Sequence, residues 1–239
     1  MSEVANAVEK GMTAERVEEL RAALEGRAAF YETLAALYYK PLKQEQIDAM
    51  AASDLSAYAD INELFADGLN DIVRTLRKRT TDTRKTLAVD FTAAFIGTSS
   101  WKGRYAVPYK SVFTSEEGLM YQEGYQEVFA AYKSHCVKRR EGLDLPDDHL
   151  SFMCEFMAIM SRRAIEHIEG GELGLARRDL EFSRDFLREH IMSWFDDFAD
   201  LANKIIKTRF YRGVLKVSKG FFELDRDVLD DMIEEVSQQ

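Results

Sequence analysis

Two adjacent carboxylates and an imidazole, Asp147, Asp148 and His149, follow directly behind Pro146, and the chain then enters a very apolar stretch from Leu150 to Ala164. Anionic oxygen beside a neutral ring nitrogen binds cations and N–H donors. Pro146 fixes its own φ and disfavours helix at Leu145, while Asp147 can cap the free N–H groups of the turn that follows, so a helix is expected to start here. The positive end of its dipole favours ionised Asp147 and Asp148 and opposes protonation of His149. Spacing alone leaves two readings of Asp148 and His149 open: a helix cap whose histidine is satisfied by a neighbouring loop, or a binding site.

Other chemistries lack a motif. His135 with Cys136, and Asp148 with His149, suggest a metal site only weakly, since a carboxylate-bridged di-iron bundle needs paired Glu-x-x-His helices that this sequence does not contain. Neither a G-x-x-x-x-G-K-[ST] loop nor a G-x-G-x-x-G run behind a strand is present, so no nucleotide motif and no cofactor is expected. Cys136 and Cys154 are too few and too far apart for a disulfide framework or zinc knuckle and fit a reducing compartment. Arg139-Arg140, Arg162-Arg163 and Arg177-Arg178 read as surface charge. Met153, Met157 and Met160 read as core packing rather than an adaptable groove.

The elements that must position these residues are helical. Val17, Leu20, Leu24, Ala28, Tyr31, Leu34, Ala35 and Tyr38 recur at helical spacing from Thr13 to Tyr39, and Pro41 closes that segment. Residues 44 to 79 read as a short and a longer helix broken near Ser53-Asp54, with a basic end at Arg74, Arg77, Lys78 and Arg79 that reads as a solvated helix terminus. Thr83 to Ile96 is a further helix ending at Gly97. The stretch Gly97 to Ser115, with Trp101, Tyr105, Pro108 and Tyr109, is aperiodic and aromatic, which suggests recognition. Thr114 and Glu117 form a T-x-x-E box expected to open a helix running to Lys138-Arg139-Arg140. The helix after Pro146 is apolar on two sides and therefore central. Leu173 to Ile191, a helix from Trp194 to Tyr211, and a last acidic amphipathic helix over residues 221–236 complete the chain.

Only three prolines occur among 239 residues, and the composition is that of a helical protein, so the expected fold is all-α, a single-domain helical bundle of about nine to eleven helices over residues 1–239. A formal net charge of −10 argues against a nucleic-acid partner. Met1 to Leu20, with Glu3 and Glu9, lacks the apolar centre of a secretory signal, and no run is long enough to span a bilayer, so a cytoplasmic location is expected.

Four blocks make the chain resemble the TorD-like family of cytoplasmic redox-enzyme maturation chaperones, which includes the DmsD and NarJ groups. Asp90 to Gly97 is similar to an aromatic-then-glycine block, and Val107-Pro108-Tyr109-Lys110-Ser111 to a proline-to-serine loop. Leu145 to Leu150 matches the P-x-D-H-L signature; His190 with Trp194, then Phe210-Tyr211, resembles the closing stretch. The resemblance spans roughly residues 28–215. Thr98 stands where the family commonly has proline, and His135-Cys136 where it often carries glycine.

This resemblance implies a non-enzymatic chaperone that holds the twin-arginine leader, or the body, of a molybdopterin-containing oxidoreductase until folding and cofactor insertion are complete. Paired arginines on an extended peptide want carboxylates with fork geometry, and the apolar positions after them want a greasy groove. Asp148, with Pro146 and Asp147, would meet the guanidinium groups. His149 would bond the peptide or hold the loop containing Gly97 and Ser111. Phe95, Trp101, Pro108 and Tyr109 would supply the apolar wall. A monomer and a domain-swapped homodimer both fit. Two rivals remain: a small metal- or nucleotide-dependent hydrolase using Asp148 and His149, and a helical adaptor with no oxidoreductase client.

Overall fold

A computed structural model describes residues 12–54 and 61–238. Glu3 and Glu9, read above for a missing signal sequence, lie outside the described residues. Among the described residues there is no strand, only isolated bridges pairing Trp101 with Arg104 and Tyr109 with His149.

Thr13 accepts a hydrogen bond from the Arg16 amide at the head of α1 (Ala14–Tyr39), and the apolar stripe read from spacing is the face that α1 buries. Helix α2 (Gln44–Ala52) ends at Ser53 as expected. Asn62 caps α3 (Glu63–Arg77) by accepting from the Phe65 amide at 2.8 Å. Then follow α4 (Thr83–Phe95), α5 (Lys110–Thr114), α6 (Glu123–Ser134), α7 (Leu150–Glu169) and α8 (Leu173–Phe186). One π-helical turn (Leu187–Met192) joins α8 to α9 (Ser193–Ile205), and α10 (Arg209–Ser237) closes the chain.

Two helix pairs, α1 on α7 and α3 on α10, make the most extensive contacts, and α8 lies against both α7 and α10. Their buried side chains form one hydrophobic cluster. Met153, Met157 and Met160 all belong to it, as does Cys154. Helices α3 and α10 approach closely because glycines face each other: a Cβ on Gly213 would stand 2.5 Å from the Gly68 carbonyl oxygen. Asn62 adds a bond from its amide to the Gly220 carbonyl at 2.9 Å. The far half of α10 is held by a buried ion pair, Arg27 Nε to Asp225 Oδ1 at 2.6 Å, with Tyr31 donating to the same carboxylate at 2.7 Å.

Three boundaries differ from the reading of the sequence. The T-x-x-E box does not open a helix: Thr114 ends α5, its hydroxyl donating to the Lys110 carbonyl, and left-handed Gly118 and Tyr121 delay α6 to Glu123. Helix α6 stops at Ser134 rather than near Arg140. There the Cys136 amide donates to Lys133 and the Val137 amide to Tyr132, with Cys136 at φ 56° in the place usually given to glycine. Helix α9 stops at Ile205, short of Tyr211, because the Asp90 carboxylate captures the Lys207 and Thr208 amides and turns the chain. Accordingly α10 begins at Arg209, well before residue 221.

Candidate functional site

Gly97 has φ 78°, and a Cβ there would meet Val107 at 2.9 Å, so glycine is required both for the turn off α4 and for the return of the loop. The loop reverses at Trp101–Arg104, whose backbones exchange both hydrogen bonds around Lys102 and Gly103 at positive φ. Pro108 and Tyr109, with the first residues of α5, Lys110 and Ser111, then run along the entrance to α7. The Leu150 amide donates to the Pro108 carbonyl at 2.8 Å, the Lys110 amide to the Asp148 carbonyl at 3.1 Å, and the Ser111 amide to Asp148 Oδ2 at 2.8 Å. Two sequence blocks more than thirty positions apart are thus stitched together.

Asp148 is 0% exposed, not at a mouth as expected. Its Oδ1 and the Ser111 hydroxyl have no hydrogen-bond partner among the described residues. Burial holds its carboxyl above the usual range against the opposing bonds from Ser111, so the stabilised anion expected from the helix dipole is also corrected. Asp147 does not cap α7 either. Its carboxylate accepts from the Tyr125 hydroxyl at 3.0 Å and faces Arg139 at 3.7 Å, while its carbonyl accepts from Tyr132, so it fastens α6 beside buried Pro146.

The cap is His149. Its Nδ1 accepts from the Ser151 amide at 3.1 Å, which places the ring hydrogen on Nε2, and its ring meets Tyr109 edge to face at 4.9 Å. Burial pushes its pKa down to about 3, so the imidazole is neutral as expected, although desolvation is the cause.

His149 is one wall of a cavity of about 680 Å³. Phe95, Gly97 and Tyr109 line it with His149, whereas Asp147, Asp148, Pro146, Pro108, Ser111 and Trp101 do not. Trp101 is 46% exposed on the outer turn. Sequence reasoning missed Leu119 and Met120, exposed beyond α5, and Phe113, which line the same cavity, as does Tyr105 of the aromatic loop. It also missed the rim, where Glu116 and Glu117 are exposed and Arg104 faces the same space. Their signal was the aromatic loop itself, whose aperiodic stretch runs on past Ser115 to Gln122. Among the described residues no group of three or more His, Cys, Asp and Glu side chains is placed to hold a metal.

A family model described as nitrate reductase delta subunit matches residues 58–200, a stretch that contains the aromatic-glycine, proline-serine, P-x-D-H-L and H-x-x-x-W blocks. Among curated proteins the chain is similar to the chaperone protein TorD of Vibrio cholerae serotype O1, 29% identical over 227 residues covering 92% of this chain and 99% of the relative. The chaperone protein TorD of Vibrio vulnificus is 28% identical over 89% and 99% of the two chains, and that of Psychrobacter sp. 23% over 91% and 97%.

Proposed function

The chain belongs to the nitrate reductase delta subunit family, of the TorD-like kind, and from that premise we propose that it is a cytoplasmic redox-enzyme maturation chaperone, not an enzyme, whose client is a molybdopterin-containing oxidoreductase. The observation that carries the site is the cavity with apolar walls and two exposed carboxylates on its rim. A twin-arginine leader is a basic pair followed by apolar residues, and this cavity answers both parts. Glu116 and Glu117 meet the guanidinium groups, and Leu119, Met120, Phe113 and Tyr109 take the apolar run. Exposed carboxylates suit that task better than buried Asp148, because an arginine reaching Asp148 would have to shed its water inside the fold.

His149 lines the cavity with its Nε2–H as a donor for a peptide carbonyl, while Asp148 bonds Ser111 and so holds the neighbouring wall residue Tyr109 in place. Ordering a flexible leader limits the affinity, which suits a holder that must let go. The hydrolase alternative gains no support from this geometry, since Asp148 is committed to Ser111 and does not line the cavity. No helix among the described residues is long and apolar enough to cross a membrane.

Calorimetry with the leader peptide of a molybdoenzyme encoded beside this chain tests the reading. Wild type is expected to bind it, and Glu116→Gln with Glu117→Gln to weaken binding about tenfold or more, the usual effect of losing charged hydrogen bonds. Undiminished binding by the double variant would discard the rim carboxylates, and absence of binding by wild type would discard leader recognition.

A further inference from the structure

At the other end of α4 from the proposed peptide site, a second cavity of about 590 Å³ is lined by three cations, Arg74, Lys78 and Arg209, and by no Asp or Glu among the described residues. We propose that it binds a soluble small molecule through a phosphate monoester or diphosphate group. The basic end of α3 reads from sequence as a solvated terminus, because cations there answer the carbonyl end of their own helix. The fold changes that reading by bringing Arg209, the first residue of α10, to face the same space. Arg74 and Lys78 have no ion-pair partner among the described residues; Arg209 has only Asp71, at 3.4 Å. On a chain of formal charge −10, three convergent cations with so little compensation stand against the overall field.

The hydroxyls point the same way. Thr80 and Thr83 use their oxygens as acceptors for the Asp82 and Thr80 amides, so both O–H donors are unspent. The Thr208 Oγ1 is buried without a hydrogen-bond partner among the described residues. Neither Asp82 nor Thr208 caps its helix through its side chain, so α4 and α10 begin at this cavity without a side-chain cap. Cations and donors with no lining carboxylate suit a ligand that only accepts, with several oxygens and more than one negative charge. Leu87 is the sole apolar residue in the lining and no aromatic ring is present, so there is no platform for a stacked base and the phosphate itself is what is gripped.

The probe is inorganic pyrophosphate, titrated into the full chain by calorimetry at low ionic strength. Saturable one-to-one binding is expected. Arg74→Gln and Arg209→Gln should each weaken it about tenfold, while Arg162→Gln, on exposed α7 surface, leaves it unchanged. Amide NMR shifts on titration should centre on Thr83 and Thr208. Arg74 and Lys78 are exposed and make no ion pair among the described residues, and Arg209 makes only its pair with Asp71, so the variants should remain folded by circular dichroism. No saturable binding by wild type, equal binding by the triple variant with Lys78→Gln, or equal affinity for citrate would overturn the proposal. Flotation with phosphatidate-bearing vesicles should recover no protein; co-flotation would overturn the assignment to a soluble ligand.

Discussion

Burying His149 at 3% exposure ties the entrance of α7 to the acidity of the medium. In the unfolded chain its pKa is the ordinary 6.5, and in the fold it lies near 3, so protonation favours unfolding. The stability it lends is complete above pH 6.5 and is lost as pH falls toward 3, at up to about 1.4 kcal/mol per pH unit. His190, pushed to about 4 by burial and by Lys110, adds in the same direction. Denaturant melts across this range should therefore show a shallower pH slope for His149→Asn, which keeps an oxygen to cap Ser151. A slope equal to wild type would mean that this ring does not titrate on unfolding. The sequence made the neutral imidazole and the helix start legible. It hid which residue caps, because Asp147, Asp148 and His149 all have side chains able to do so and only the route of the Pro108–Ser111 segment decides. Cys136 is a second case: nothing local shows that a non-glycine residue closes α6 at φ 56°. Cys136→Gly should raise the unfolding free energy by up to about 1 kcal/mol by removing that left-handed strain, as read from chemical denaturation.

Helix α1 was readable because burial on a constant face imposes the period, and α7 because a helix apolar on two sides reads as central. Helix α10 was not readable over its first half. Gly213 and Gly220 look like breakers, yet here they are the places where α3 comes within backbone distance. In an exposed helix, Gly→Ala stabilises by about 1 kcal/mol. At Gly213 the sign should reverse, with Gly213→Ala costing about 1–3 kcal/mol by overpacking against Gly68, measured as a fall in midpoint at unchanged m-value. The segment from Thr114 to Gln122 was misread for a related reason. Leu119 carries the helical spacing on toward Tyr125, but left-handed Gly118 and Tyr121 break the run, and Leu119 lines the cavity with Met120 instead.

Across the whole molecule, Arg27 and Tyr31 converge on Asp225 of α10, and Arg27 also donates to Ser161 of α7, so that helices nearly two hundred positions apart are joined. Such a pair is a weak source of net stability but a severe liability when halved. Asp225→Ala should cost about 3–5 kcal/mol, whereas Arg27→Met with Asp225→Leu should recover most of that loss in a double-mutant cycle. An additive cycle would show that the two charges do not depend on each other. No local pattern announces this partnership, since Arg27 is one of several charged residues along α1 and Asp225 falls within an acidic tail. The late position of α10 also matters during synthesis. While residues 209–237 are still inside the ribosome, α3 has no opposite face to rest on and the Arg27 guanidinium has no counter-ion. The emerging polypeptide then displays the apolar surface that α10 later covers, a stage at which wrong contacts compete with right ones.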